Sequence, residues 1–163
     1  MTWDDVEKAP VVEVEAAIRI GGLARQKAPR IQRALRDIRA REGRLSLDRL
    51  ERMPLPEVLG YLMDIDGVGP KTAACVALFA LGLPAFPVDT HVHRVAGRLG
   101  LVDGRISAER AHLELANSVP GERRYSFHLN LVRHGRAICR ARRPECERCP
   151  LTDLCEYYAR LGG

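Results

Sequence analysis

Four cysteines near the C-terminus, Cys139, Cys146, Cys149 and Cys155, spell C-x6-C-x2-C-x5-C inside a 17-residue segment, CRARRPECERCPLTDLC. Disulfides crowded into so short a loop would staple nothing else in a chain of 163 residues. Thiolates this close together point instead to a soft metal centre, either tetrahedral zinc or an iron–sulfur cluster. The spacing has no histidine alternation and no second CxxC, so it fits common zinc ribbons poorly. The first loop of the motif, RARRPE, holds three arginines. The centre is therefore expected to brace a basic loop.

The charge around that loop is local. Between Arg133 and Arg148 there are six arginines against two glutamates, whereas the whole chain carries only +5 from 26 basic and 21 acidic residues. Such clustering reads as a phosphate-facing patch. No apolar run reaches membrane-spanning length and no charged-then-apolar leader follows Met1, so an unexported, cytoplasmic protein with no membrane partner is expected. A reducing compartment also keeps thiols available for metal. The basic residues are 23 arginines and only three lysines, Lys8, Lys27 and Lys71. Guanidinium cannot lose its proton in a protein, so a lysine kept in this arginine-rich background is a candidate for amine chemistry.

Helical periodicity runs through nearly the whole chain. It predicts helices over 11–20, 27–41, 56–64, 71–81, 90–99, 107–117, 123–138 and 151–161, with a short one from Ser46 to about residue 52. No segment alternates as a strand does. Short helices joined by tight turns make an all-α fold, and a chain of this length can bury one core or two small lobes. The division expected here is a helical lobe over 1–86 and a second lobe with the cysteine loop over 87–163.

Residues 62–73, LMDIDGVGPKTA, form a helix-hairpin-helix. Gly67 and Gly69 allow a tight turn and close approach to a partner. Val68 plugs the junction, and Pro70 suits a first helical turn that needs no amide donor. The hairpin presents backbone amides and a positive helix end to an anion, which for a basic protein means a nucleic-acid phosphate. Eighteen residues after Lys71 comes Asp89, in VDTHVHRV (residues 88–95), where an N-cap for the next helix is required. The cap alone explains Asp89. One intervening helix and a short return also bring its carboxylate back towards the lysine amine.

Taken in order, LMDIDGVGPKTA, VDTHVHRV and the four-cysteine terminus resemble the endonuclease III group of DNA glycosylases, in the helix-hairpin-helix-Gly-Pro-Asp superfamily. The likeness also takes in the hairpin echo IRIGGLARQKA and His134-Gly135-Arg136. It implies a two-lobed all-α protein, a partial six-helix barrel plus an iron–sulfur cluster lobe, with a [4Fe-4S] cluster held by Cys139, Cys146, Cys149 and Cys155. Carried over by position, Lys71 falls at the family's nucleophile and Asp89 at its catalytic aspartate. DNA contacts are expected at Gly67, Val68, Gly69, Thr72, His91, Arg94, Arg140, Arg142 and Arg143.

The implied reaction is base excision repair. A glycosylase with AP lyase (β-elimination) activity removes oxidised pyrimidines from duplex DNA through a lysine Schiff base. Its partner is double-stranded DNA containing damaged bases or abasic sites, and a monomer in the bacterial cytoplasm, associated with the nucleoid, is expected. Adenine-mismatch members of the superfamily lack the lysine and read VDG, whereas this chain has Lys71 and Thr90. The competing reading is a non-catalytic DNA-binding hairpin whose cluster serves structure or redox sensing. Relative to the family the chain begins late, at its third or fourth helix, so Val11, Val12, Ile18 and Leu78 are expected to be partly exposed.

Overall fold

In the computed structural model, which describes residues 2–162, every regular element is helical and no strand occurs among the described residues. The chain divides after Gly69 into two compact units. The first contains α1 (Trp3–Lys8), α2 (Val11–Ile18), α3 (Ala24–Glu42) and α4 (Leu55–Met63), with single 3-10 turns at Arg19–Gly21 and Asp48–Arg52.

Helix α1 is absent from the periodicity because it buries no residue. It starts at a reciprocal cap, in which the Thr2 hydroxyl accepts from the Asp5 amide and the Asp5 carboxylate accepts from the Thr2 amide. Six residues cannot hold a helix alone. Tertiary bonds do it: the buried Gln32 amide donates to the carbonyls of Val6 at 2.9 Å and Ala9 at 2.7 Å, and Arg39 pairs with Glu7 at 2.7 Å. Helix α3 begins earlier than its apolar spacing predicts, because Leu23 takes a left-handed backbone (φ 56) and turns the chain into the helix. Its buried residues are Ala24, Ala28, Gln32 and Leu35, and those of α4 are Val58 and Leu62. Val11 and Val12 are exposed, as expected, and Ile18 is half-buried.

At the end of α3, the Arg49 guanidinium grips Glu42 with bonds of 2.8 and 3.1 Å. Those bonds hold the Glu42 carboxyl down at about 2, from an ordinary 4.5. A depressed carboxylate stabilises the fold fully above its unfolded value, and that contribution is lost as pH falls through the folded one. Thermal melts at successive acid pH values should therefore show the wild-type protein losing an advantage over Glu42→Gln between pH 4.5 and about 2. Parallel curves for the two proteins over that window would remove the pair from the stability of the unit.

The second unit contains α5 (Pro70–Phe79), α6 (Thr90–Leu99), α7 (Ala108–Ser118), α8 (Arg124–Ala137) and the short α9 (Glu156–Ala159). Val92, Val95 and Ala96 form one buried face of α6 at helical spacing, and they pack with Phe86, Val88, Val102, Ala111, Leu115 and Leu131. Gly135 on α8 permits the close crossing with α6, since a Cβ there would lie 3.1 Å from both His91 Cβ and Val95 Cγ2. Leu78, expected at the surface, is buried because it shares the inner face of α5 with Ala74 and Ala77. Cys75, on the adjoining face, is half-buried rather than fully in the core. The single helix predicted over 151–161 is broken into a 3-10 turn, Thr152–Leu154, and α9. Cys155 interrupts it with an extended backbone (φ −104, ψ 107).

Candidate active site

Lys71 stands exposed in the first turn of α5, directly after Pro70. Asp89 is the N-cap of α6, and its Oδ1 accepts from the Val92 amide at 2.7 Å. Capping engages one carboxylate oxygen and leaves Oδ2 for other work. Both side chains line one pocket, whose other walls are Val88, Thr90, His93, Ile106 and Ala108. His93 pins one wall by donating from Nε2 to the Ile106 carbonyl at 2.8 Å. Lys71 is open to solvent in this unit.

In the hairpin turn Gly67 has φ +83, a conformation that L side chains rarely adopt. The Val68 amide is not free, because it closes the turn on the Ile65 carbonyl at 3.0 Å. Pro70 has no amide hydrogen. The donors the sequence reading expected are thus narrowed to Gly69 and the start of α5, where Lys71 and the exposed Thr72 stand.

The four predicted cysteines line a single cavity, together with Val95, Leu99, Ile138, Tyr157 and Tyr158. Among the described residues, no three His, Cys, Asp or Glu side chains gather as ligands of one ion. Four thiols spread around an apolar space suit a polynuclear cluster, whose irons hold the sulfurs apart, better than a lone zinc. Burial raises the Cys146 thiol above its ordinary value, and the neighbouring cysteines add to the rise. A bound cationic metal reverses that logic by favouring thiolates.

Two arginines one helical turn apart on α6 hold the loop. Arg98 donates to Cys139 Sγ at 3.3 Å, to the Arg140 carbonyl at 2.7 Å and to the Ala141 carbonyl at 3.1 Å, and its guanidinium lies 4.7 Å from the centre of the Tyr157 ring. Arg94, expected at DNA, is turned inward instead. It donates to the carbonyls of Cys139 at 3.0 Å and Gly135 at 2.8 Å, because carbonyls at and beyond the end of α8 have no helical partner. It also donates to the Thr90 carbonyl at 3.3 Å and to His91 Nδ1 at 3.1 Å. Since guanidinium only donates, that nitrogen accepts, which leaves the His91 proton on Nε2. His134, in the last turn of α8, faces the cysteine loop, with Nε2 3.6 Å from Cys149 Sγ. Arg142 and Arg143 are exposed, and Arg140 pairs with Glu145 at 3.1 Å. The bracing role of Arg98 was missed in the sequence, where only its shared face with Arg94 could have signalled it.

The pattern of the HhH-GPD superfamily of base excision DNA repair proteins matches residues 1–120, and that of the iron–sulfur binding domain of endonuclease III matches residues 139–155. The cofactor of the cysteine loop is accordingly a [4Fe-4S] cluster. Endonuclease III of Sulfolobus acidocaldarius is 30% identical over 97% of this chain and 68% of its own length. Endonuclease III of Rickettsia felis is 42% identical over 64% of this chain and 48% of its own length. The chain spans less than half the length of several curated relatives, among them 17% of DEMETER-like protein 3 of Arabidopsis thaliana. A solved complex of endonuclease III with DNA superposes with a TM-score of 0.80 at 34% identity, covering 99% of this chain and 71% of that one. These likenesses extend over both the hairpin and the cysteine loop, and the chain belongs to the HhH-GPD superfamily, in its endonuclease III-like, iron–sulfur branch.

Proposed function

We propose that the chain excises oxidised pyrimidines from duplex DNA and then cleaves the strand at the abasic site by β-elimination. The observation that carries this reading is the meeting of Lys71 and Asp89 in one pocket. The unprotonated Lys71 amine attacks C1′ of the damaged nucleotide, and the N-glycosidic bond breaks with its electron pair going to the leaving base. The attached nitrogen gives up a proton and its lone pair forms the C=N bond of an iminium, while the C1′–O4′ bond breaks and O4′ takes up a proton. Removal of a C2′ proton then expels the 3′ phosphate. Asp89 Oδ2 faces the positive charge that grows on the sugar, and it can hold or pass a proton there.

A free lysine titrates at about 10.4, so most of it is protonated at neutral pH. Lys71 is solvent-exposed in this unit, and exclusion of water therefore has to come from the docked DNA. The substrate base leaves its stack to reach the pocket, at a cost of a few kcal/mol that is smaller for damaged bases. Gly69 and Thr72 at the hairpin, together with Arg142 and Arg143 on the cysteine loop, supply phosphate contacts. The cluster, held by Cys139, Cys146, Cys149 and Cys155, fixes the shape of that basic loop. The protein acts as a monomer.

The exposure of Lys71 also suits a plain phosphate contact in a binding module without chemistry. Borohydride reduction of the protein on an abasic-site duplex separates the two readings. A covalent adduct supports the lyase, and tight binding with no adduct supports the module.

A further inference from the structure

The stretch from Gly82 to Asp89, which delivers the Asp89 carboxylate, has no regular structure. Ala85, Phe86, Pro87 and Val88 within it are nonetheless buried. Buried irregular backbone leaves carbonyls that neither water nor a ladder satisfies. Here side chains from two other helices satisfy them in succession. Arg124 on α8 donates to the Pro84 carbonyl, His112 on α7 to the Phe86 carbonyl at 2.6 Å, and His128 on α8 to the Pro87 carbonyl at 2.9 Å.

Both histidines use Nδ1. A carbonyl oxygen has no proton to give, so each Nδ1 carries the hydrogen. His128 is itself buried, with the rings of Phe79 and Phe86 edge-on to it at 5.4 and 6.4 Å between centroids. Lysine or glutamine could supply an N–H there but no flat ring to fill the aromatic gap. Burial lowers the His128 pKa, and the charges of Asp89 and Lys71 act on it in opposite directions. The ring thus lies within electrostatic reach of both groups of the candidate site.

We propose that His112 and His128 are positioning residues, an imidazole clamp that fixes Asp89 opposite Lys71 by holding the two carbonyls Phe86 O and Pro87 O through Nδ1–H donors. The inference rests on the glycosylase/lyase reading for its consequence. Its geometry is independent of that reading.

The test compares His112→Leu and His128→Leu with His112→Asn and His128→Asn, because the asparagine amide places an N–H close to the position of Nδ1. On an abasic duplex under single-turnover conditions, each leucine variant should cleave about tenfold to hundredfold more slowly, as a displaced catalytic group does, with duplex affinity within about threefold of wild type. Each asparagine variant should recover to within about threefold. Leucine variants as fast as wild type, or asparagine variants as slow as leucine, overturn the clamp. Nitrogen-15 NMR of the histidine rings supplies a readout that needs no activity. If wild type neither traps nor cleaves abasic DNA, the functional reading fails. The clamp then stands on an Nδ1–H at both positions, and it falls if either Nδ1 lacks its proton.

Discussion

On the proposed reading, Lys71→Ala should abolish the borohydride-trapped adduct with an abasic duplex and lower strand cleavage by about a thousandfold or more, since losing a nucleophile removes the covalent route outright. Among the residues lining the pocket with Asp89, Lys71 alone has an amine, so no neighbour can substitute. Duplex binding should weaken only by the value of one phosphate contact. Lys71→Arg sharpens the comparison, because it preserves the positive charge and hence binding, but guanidinium cannot deprotonate to attack a sugar carbon. Normal cleavage by either variant would mean that the nucleophile is elsewhere and that Lys71 only touches phosphate. Gel-resolved adduct yield and single-turnover cleavage report both arms.

Asp89 poses a different problem, because its Oδ1 already has a structural task at the head of α6. Asparagine caps helices as well as aspartate, so Asp89→Asn should retain the melting temperature while base excision and cleavage fall by about 10²- to 10⁴-fold with the loss of charge and of a proton acceptor. Asp89→Ala should lose the chemistry and in addition about 1 kcal/mol of stability. If the asparagine variant excises and cleaves like wild type, the carboxylate is a cap and nothing else. The pair of substitutions thus separates two tasks that a single alanine change would merge.

The parts of this protein that could be read from its sequence are those whose causes are local. Helix α6 runs over the predicted residues because Asp89, the apolar trio Val92, Val95 and Ala96, and the terminal Gly100 encode its start, face and end within a dozen positions. Helix α7 is legible for the same reason, through the Ser107 cap. The proximity of Lys71 and Asp89 was legible too, since one short helix and a short irregular return separate them. What escaped depends on distant partners. Helix α1 persists through Gln32 and Arg39 of α3, which no periodicity within α1 could announce. The inward turn of Arg94 follows from carbonyls over 40 residues away, at Gly135 and Cys139. In the same way, the break at Cys155 answers to the cavity its thiol lines rather than to helix propensity.

Helix α6 has Asp89 at its first end and Arg98, hydrogen-bonded to Cys139, near its last. Ten residues of α-helix make a stiff rod about 15 Å long, the rise of roughly four to five base pairs of duplex. On the proposed reading, the rod acts as a ruler between the excised nucleotide and the arginine-rich grip. Phosphate-ethylation interference should then show protected positions offset from the lesion by about that span, and lengthening α6 by one turn should shift them outward together.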